Sequence, residues 1–229
     1  MISPQDVLFE DQTLFLINKP AGLSSHSDPQ GKDVLTALKK VYPRELFLVH
    51  RLDRETSGLL LLTKKPELTQ KLQEGMVKKQ YIAFLRRPWT QAEQLTWTWP
   101  LTDKGESRKV PQGLKKDRKP CATKVSLIHS TSHFSVIAAE LESGKQHQIR
   151  KHAALANHPI WGDSRYNEPQ FNQKISELYG TDRLFLHAFH LILSWQGKTW
   201  DWRAPVPAEF IQILPNVLSS DGWNQPPLL

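Results

Sequence analysis

One stretch of the sequence limits the fold more than any other, LFLVHRLDRETSGLLLLTKK. Two apolar runs, 46–49 and 59–62, flank a segment of mostly polar or charged residues. Runs of this length suit strands that are buried on both faces, and they are too short for typical helices. Charged side chains next to buried strands need partners or a purpose, because burying an unpaired charge is costly. We therefore predict a loop between two buried strands.

Asp53 stands in this predicted loop, with Arg51 and Arg54 close to it in sequence. A carboxylate between arginines is ionised at neutral pH, and an ionised carboxylate can act as a nucleophile or as a general base. A solvated loop with surface ion pairs would explain the same charges equally well. From the residues alone, a catalytic role and a surface role for this loop both stay open.

The remaining patterns predict short strands and short helices. We expect strands over 7–18 (two, around a turn at 10–12), 78–87, 134–141 and 183–194. The strand over 78–87 is expected to have one buried and one exposed face. We expect helices over 34–41 (behind an Asp33 cap), 66–79 and 146–156. The 229 residues are 39% hydrophobic, which allows one substantial core, so a single domain over 1–229 is the simpler expectation.

Basic residues accumulate between residues 100 and 124, where apolar residues become rare. Eight bases stand against three acids in this segment, which favours a solvated, mobile insertion. The whole chain carries a formal net charge of +7, and its isoelectric point is about 9.5. A field of this sign attracts polyanions. Nucleic acid is therefore a leading class of partner, although many basic proteins bind none.

A second basic cluster lies in GKQHQIRKH, residues 144–152. A helix that opens after Gly144 would present free amides and the positive end of its dipole, and its first turns would carry four basic or imidazole side chains. These are Lys145, His147, Arg150 and Lys151. The arrangement suits phosphate oxygens, but a basic helix face in water would give the same pattern.

Several site classes have no support in the sequence. Cys121 is the only cysteine, which excludes an intrachain disulfide and a Cys-rich metal site and fits a reducing cytoplasm. No HExxH spacing occurs, and His147 and His152 are five residues apart, so we expect no metal site. Ser57 has no nucleophile-elbow context. The longest apolar run is far too short to span a bilayer, so we expect a soluble cytoplasmic protein with no membrane partner.

Taken in order, the motifs resemble the RluA-type family of pseudouridine synthases, from about residue 7 to about residue 207. The segments that carry the resemblance are INKPAGLSSH, VHRLDRETSGLLLLTK, KKQYIAFL, SGKQHQIRKHAALANHPIWGDSRY and RLFLHA. Two departures from the family pattern, Ser143 and Lys145, keep a small hydroxyl and a positive charge. Because the resemblance starts at about residue 7, we expect no S4 RNA-binding domain of the kind that some relatives carry, and we expect the chain to be most similar to the short members.

The resemblance implies an α+β fold, with a mixed, mainly antiparallel sheet, flanking helices and a central RNA-binding cleft. It implies an isomerase that converts uridine to pseudouridine in structured RNA, in transfer RNA, 23S ribosomal RNA or both. It also implies that no cofactor is needed, and nothing requires more than a monomer. Catalysis would fall to Asp53, Tyr81 and Arg150. RNA would be bound by Lys19, His50, Arg51, Arg54, Lys145, His147 and Lys151.

In the implied reaction, Asp53 either attacks C1′ of the ribose or assists elimination there, and Arg150 pairs with it. Tyr81 would stack on the target uracil, although a buried strand tyrosine is the simpler reading of that residue alone. The target base would have to leave its stack, at a cost of about a few kcal/mol. Two alternatives remain: an RNA-binding protein without activity, and a metal-free hydrolase that uses Asp53 with His50 or His147.

Overall fold

The computed structural model describes residues 2–215, and this part of the chain divides into two compact units. The first unit comprises residues 2–79 and 187–205, and the second comprises residues 80–186 and 206–215. The single domain expected over 1–229 stays a prediction. Part of the C-terminal tail, residues 216–229, lies outside the described residues.

The strands and helices follow one another along the chain in short segments. The strands are β1 (Val7–Glu10), β2 (Leu14–Lys19), β3 (Phe47–Leu48), β4 (Ser57–Thr63), β5 (Met76–Arg86), β6 (Gln94–Trp97), β7 (Thr123–Ser130), β8 (Phe134–Leu141), β9 (Leu186–Trp195) and β10 (Lys198–Arg203). The helices are α1 (Val34–Lys39), α2 (Thr69–Glu74), α3 (Gln148–Leu155), α4 (Pro169–Tyr179) and α5 (Ala208–Ile213). Short 3₁₀ turns occur at Pro4–Asp6, Pro66–Leu68 and Lys115–Asp117.

The first unit is built around β4, which is buried at every position. This strand pairs antiparallel with β2 and parallel with β9, and β10 pairs antiparallel with β9. Burial on both faces explains why the sequence of β4 is a continuous apolar run and does not alternate. The core beside it contains Leu14, Leu16, Val49, Leu59, Leu61, Leu72, Met76, Leu191, Leu193 and Ala204. The predicted loop and the burial of β4 are confirmed, whereas β3, the strand before the loop, has only two residues and both are half-buried.

The second unit contains an antiparallel array in the order β5, β8, β7, β6. Its core is aromatic: the Phe84 ring lies between 5.1 and 6.0 Å, centroid to centroid, from the rings of Phe134, Trp161, Phe185 and Phe210. With the parallel pairing of β4 and β9 in the first unit, the strands are mixed and mainly antiparallel. The α+β class predicted from the sequence is confirmed.

The helix predicted over 66–79 is wrong in its second half. The α2 helix ends at Glu74, and Met76 already begins β5. The cause is a tertiary contact at Gly75, whose carbonyl accepts a hydrogen bond of 2.8 Å from the Ser194 N–H. A Cβ atom on Gly75 would lie 2.6 Å from the Ser194 carbonyl oxygen, so the two segments meet too closely for a larger residue.

The alternating faces predicted for the strand over 78–87 are also wrong. Every residue of β5 from Gln80 to Leu85 is buried, so both faces are covered there. The helix predicted over 146–156 begins later than expected, at Gln148, because His147 adopts a left-handed backbone conformation with φ of 57°. The other predicted elements are present, although the strand expected over 183–194 begins at Leu186 and the helix expected over 34–41 ends at Lys39. The Asp33 side chain accepts from the Thr36 N–H at the start of α1, as predicted.

Candidate active site

Asp53 lies in the loop between β3 and β4, and its side chain is half-buried. The neighbouring residue Leu52 fixes the loop, since its N–H donates to the Ser25 hydroxyl at 3.1 Å and its carbonyl accepts from that hydroxyl at 2.8 Å. The Thr56 N–H donates to the Asp53 carbonyl at 3.2 Å and closes the turn. The carboxylate therefore projects from a loop whose backbone is held on both sides.

The loop after β2 supports the same turn. The Gly22 N–H donates to the Arg54 carbonyl at 2.8 Å. Lys19 is fully buried, and its ammonium donates to the carbonyls of Pro20, Leu23 and Arg54 at 3.0, 2.9 and 3.2 Å. A buried ammonium that already donates to three carbonyls is unsuited to gripping RNA phosphate. The structure thus gives Lys19 a structural role within the loop, in contrast to the RNA contact that was predicted.

His50 is a hydrogen-bond acceptor in the structure. The Leu61 N–H donates to its Nε2 atom at 3.1 Å, so that nitrogen carries no proton. Burial, with a smaller contribution from the Lys79 charge, lowers the pKa of His50 to about 4, against a hydrogen bond with the Arg51 backbone that raises it. A neutral imidazole gives phosphate no charge to pair with. His50 therefore holds the backbone of β4, in contrast to the predicted RNA contact.

Arg51 and Arg54 are the exposed cations of the Asp53 loop. The Arg51 Nη1 atom lies 3.1 Å from Nε2 of His26, and Arg54 forms an ion pair with Asp28. Both guanidinium groups are accessible to a ligand in the solvent. Of the predicted RNA-binding residues in the first unit, these two keep a position that suits the role.

In the first unit, the SGLLLL motif at the start of β4 contacts the LHA motif at the start of β9. The Ser57 Oγ atom lies 2.8 Å from Nδ1 of His187, and both residues are buried. At Gly58, φ is +112°, and a Cβ atom would lie 2.1 Å from the carbonyl oxygen of Ala188. Glycine is required here both by the backbone conformation and by the space. These contacts explain why the two motifs occur together.

In the second unit, Arg150 and Asp163 form a buried ion pair. The Arg150 Nε donates to Asp163 Oδ2 at 2.8 Å, and its Nη2 donates to Oδ1 at 2.9 Å. The side chains are 2% and 0% exposed. Asp163 lies in the GDSRY segment of the sequence, but sequence reasoning assigned it no role. A carboxylate in a mostly apolar run, HPIWGD, was the signal that could have identified it.

Tyr166 packs against this ion pair. Its ring centroid lies 5.5 Å from the guanidinium carbon of Arg150, and its hydroxyl lies 3.1 Å from Nδ1 of His147. Burial raises the pKa of the Tyr166 hydroxyl well above its usual value, and the Arg150 charge opposes that shift. The contact between His147 and this tyrosine was not predicted.

The predicted catalytic residue Tyr81 lies on β5, opposite Ala139, and is 6% exposed.

The phosphate site predicted at the start of α3 is partly occupied by the protein. The Lys145 N–H donates to Gln148 Oε1 at 3.1 Å, and the Gln146 N–H donates to Asp103 Oδ1 at 2.7 Å. Lys151 is fully buried, and its ammonium donates to the Thr102 carbonyl at 2.9 Å. The amides of Lys145 and Gln146 are therefore not free for phosphate, and Lys151 holds the backbone of the insertion at Thr102. Lys145 is half-buried and keeps access to solvent.

The basic insertion over 100–124 is anchored along its backbone. Leu101 and Lys119 exchange two backbone hydrogen bonds, of 3.0 and 2.9 Å. The Arg165 Nη1 donates to the carbonyls of Gly105 and Glu106, and the Arg108 Nη1 donates to that of Asn167. The expected solvation is confirmed for a row of exposed basic residues, Lys104, Arg108, Lys109, Lys115, Lys116, Lys119 and Lys124. The expected mobility stays a prediction, although these anchors oppose it.

Two absences apply to residues 2–215, the part of the chain that the structure describes. Within that range, no group of three or more His, Cys, Asp or Glu side chains is arranged to hold a metal ion. In the same range, no helix combines the length and the apolar character needed to cross a membrane.

The fold is similar to two solved human structures. Human RNA pseudouridylate synthase domain containing 4 superimposes with a TM-score of 0.73 over 92% of both chains, at 22% identity. Human RNA pseudouridylate synthase domain containing 1 gives a TM-score of 0.70 over 88% of this chain and 83% of its own, at 20% identity. The fold is therefore that of the pseudouridylate synthases.

The sequence comparisons identify the family. The family model described as RNA pseudouridylate synthase matches residues 13–155. The ribosomal large subunit pseudouridine synthase C of Pasteurella multocida is 34% identical over 219 residues, which is 92% of this chain and 67% of that protein. The protein of the same name from Haemophilus influenzae is 35% identical over 192 residues, 81% of this chain and 59% of that protein. The chain belongs to the RNA pseudouridylate synthase family, and the family predicted from the motifs is confirmed.

This chain spans 59 to 67% of the length of these two relatives. The match to the family model includes Asp53, Tyr81 and Arg150, and it ends before Asp163. The roles of the three residues stay predictions at this point.

Proposed function

We propose that this protein isomerises uridine to pseudouridine in RNA, with Asp53 as the catalytic carboxylate. The observation that carries the proposal is the fixed Asp53 loop within the matched family region, in which the backbone on either side of the carboxylate is hydrogen-bonded to the loop after β2. A preorganised carboxylate needs no rearrangement when the substrate arrives.

The reaction breaks the bond between N1 of the uracil and C1′ of the ribose, turns the base, and joins C5 to C1′. C1′ is electron-poor once the N1 bond breaks, and an ionised Asp53 either forms a covalent bond to it or assists elimination from the ribose. The proton on C5 has to leave in the last step. No electron is transferred and no group is gained or lost overall, so the proposed reaction requires no cofactor.

Arg150 and Tyr81 complete the proposed catalytic set. The pairing of Arg150 with Asp53 stays a prediction. Tyr81 is 6% exposed, which suits a ring held rigidly by its strand. An aromatic ring in such a position can stack on an extruded base. We assign it the contact with the uracil.

The RNA contacts are assigned to residues whose charges reach solvent. These are Arg51 and Arg54 in the first unit, and Lys145 with the exposed cations of the insertion in the second. Contacts of this kind supply affinity without sequence information, and they make binding dependent on salt. Lys19, His50 and Lys151 are left out for the structural reasons given above.

The substrate we propose is large-subunit ribosomal RNA. The support is the name shared by the Pasteurella and Haemophilus relatives, ribosomal large subunit pseudouridine synthase C. Transfer RNA is the other substrate considered from the sequence. A cytoplasmic location and a monomeric state belong to the same proposal.

The test compares the wild-type protein with Asp53→Asn. Each is incubated with transcribed large-subunit ribosomal RNA and with transfer RNA, and pseudouridine is mapped by carbodiimide modification or by mass spectrometry of the digested RNA. We expect pseudouridine in ribosomal RNA from the wild type and none from Asp53→Asn, with RNA affinity kept. Asp182→Asn changes an exposed aspartate and serves as the matched control with normal activity.

The outcomes separate the alternatives. Product in transfer RNA alone would contradict the proposed substrate. RNA binding without product in either RNA would favour a noncatalytic binding protein. Hydrolysis of small phosphoesters in place of isomerisation would favour the hydrolase considered from the sequence. Normal turnover by Asp53→Asn would end the assignment of the catalytic carboxylate.

A further inference from the structure

The guanidinium of Arg150 is held in one orientation by Asp163. Two parallel hydrogen bonds, of 2.8 Å from Nε and 2.9 Å from Nη2, join the planar group to both carboxylate oxygens. A bidentate pair of this kind fixes the plane of the guanidinium as well as its position. A single hydrogen bond would leave the group free to rotate about its terminal bonds.

Asp163 is itself held in place by hydrogen bonds within the turn that follows it. Its Oδ1 atom accepts from the N–H groups of Arg165 and Tyr166 at 2.9 and 3.0 Å. The side chain of Asn172 donates to the Asp163 carbonyl at 3.0 Å and accepts from the Gly162 N–H at 3.2 Å. The carboxylate that orients Arg150 therefore belongs to a rigid turn, and it cannot swing away without breaking several hydrogen bonds.

A third contact closes the arrangement on another side of the guanidinium. The ring of Tyr166 lies against Arg150, and its hydroxyl reaches His147, directly before α3. One short segment, from Gly162 to Asn172, thus supplies a carboxylate, a ring and the turn that carries both.

A purely structural reading explains this arrangement poorly. Buried ion pairs contribute little net stability, because desolvation of the two charges offsets their attraction, and apolar residues of similar size often stabilise as well. A buried ion pair on a residue of the proposed catalytic set is better explained by what it does to that residue. It leaves Arg150 as a hydrogen-bond donor held in one orientation by Asp163.

We propose that Asp163 is a positioning residue of the isomerase, which acts by orienting Arg150. This inference rests on the proposed function, since it needs Arg150 to take part in the reaction. Asp163 touches neither substrate nor reacting atoms in this scheme. Its loss should therefore lower kcat and leave the KM for RNA nearly unchanged.

The test is a double-mutant cycle with Asp163→Asn and Arg150→Lys. Asparagine keeps the shape of the side chain and removes its charge and one acceptor oxygen. In the wild-type background, we expect Asp163→Asn to lower kcat by about 10- to 100-fold, the size of effect produced by a small misplacement of a catalytic group. In the Arg150→Lys background, which has no fork to orient, the same substitution should lower kcat by less than about threefold.

Glu209→Gln is the matched control, because it removes the carboxylate that pairs with Arg183, another arginine of the second unit. It should leave kcat unchanged. Each variant is checked for folding by circular dichroism and thermal unfolding. If Asp163→Asn fails to fold, the cycle is run with Asp163→Glu, which keeps the charge and moves the carboxylate by one methylene; a lower kcat in the wild-type background alone is again the expected result.

Two results would overturn the positioning role: a folded Asp163→Asn with kcat within about twofold of wild type, or an equal loss of kcat in both backgrounds. Neither result touches the proposed function, which fails on a different observation, namely no pseudouridine from the wild type or normal product from Asp53→Asn.

Discussion

The hydroxyl of Ser57 lies 2.8 Å from Nδ1 of His187, a contact between residues 130 positions apart in the sequence. It stands at the point where β4 and β9 pair in parallel. Because β4 follows directly after the Asp53 loop, this contact fixes the end of the strand from which the proposed catalytic carboxylate projects. A buried hydroxyl and one nitrogen of a buried imidazole lie within hydrogen-bonding distance there.

Removing this hydroxyl should destabilise the protein without changing its fold. Ser57→Ala removes the hydroxyl that contacts Nδ1 of the buried His187. We expect a loss of about 1–3 kcal/mol in the free energy of unfolding. Urea unfolding followed by fluorescence measures the change. Ser27→Ala, at an exposed position, is the control and should stay within about 0.5 kcal/mol of wild type. Equal stability of the two variants would show that the contact contributes nothing.

A larger effect is expected at the neighbouring glycine. Gly58→Ala places a Cβ atom 2.1 Å from the Ala188 carbonyl oxygen and demands a φ of +112° from a residue with a side chain. The strands have to separate at that point, so we expect a loss of about 3 kcal/mol or more, or no folded protein. Gly144→Ala is the matched control, because a Cβ atom there meets nothing within 4 Å. Thermal unfolding compares the two, and a folded Gly58→Ala with wild-type stability would contradict the close approach.

The starts and ends of the helices and strands show what the sequence could and could not predict about the fold. The apolar run of β4 predicts a buried strand by itself, and the Asp33 cap predicts the start of α1, because both depend on neighbouring residues. The end of α2 depends on Ser194, which is far away in the sequence. Leu68, Leu72 and Met76 keep helical spacing past that point, so the local pattern predicts a helix where a tertiary contact begins a strand.

In the candidate site, too, the features that depend on residues distant in the sequence could not be predicted. Motif resemblance predicted catalytic roles for Asp53, Tyr81 and Arg150 and none for Asp163, since the pairing of a helix residue with a later turn is visible only in three dimensions. Lys19 was assigned to RNA from its place in a motif of the resemblance, and Lys151 from its charge at the predicted start of a helix. Charge does not reveal whether an ammonium is buried, and both of these donate to carbonyls inside the protein.

The burial of His50 predicts a pH dependence of stability. Its pKa is lowered from 6.5 to about 4 in the folded protein, chiefly by burial, so the unfolded chain takes up a proton at a higher pH than the folded chain. The contribution to stability is therefore complete above about pH 6.5, and it is lost as the pH falls towards 4. We expect the free energy of unfolding to decrease through this window.

His50→Gln tests this origin of the pH dependence. Glutamine can still accept from the Leu61 N–H but does not titrate. Urea unfolding of wild type and variant is measured at several pH values between 4 and 6.5. Other buried histidines contribute to the same window, so the difference between the two proteins is the relevant quantity. The wild type should lose more stability than the variant as the pH falls, and parallel curves would contradict the role given to His50.

The exposed arginines of the Asp53 loop should control how RNA binding responds to salt. Removing one cation that binds a phosphate lowers the slope of log affinity against log salt by about 0.7–0.9, because fewer counterions are released on binding. We expect Arg51→Gln and Arg54→Gln each to weaken RNA binding and to reduce the slope by about this amount.

Lys174→Gln, which removes an exposed cation on α4, is the matched control with an unchanged slope. The measurement is a fluorescence anisotropy titration of labelled RNA at several salt concentrations. A slope equal to that of wild type in both arginine variants would remove them from the RNA contacts, and an equal reduction in Lys174→Gln would show that net charge alone, rather than the position of these arginines beside Asp53, sets the affinity.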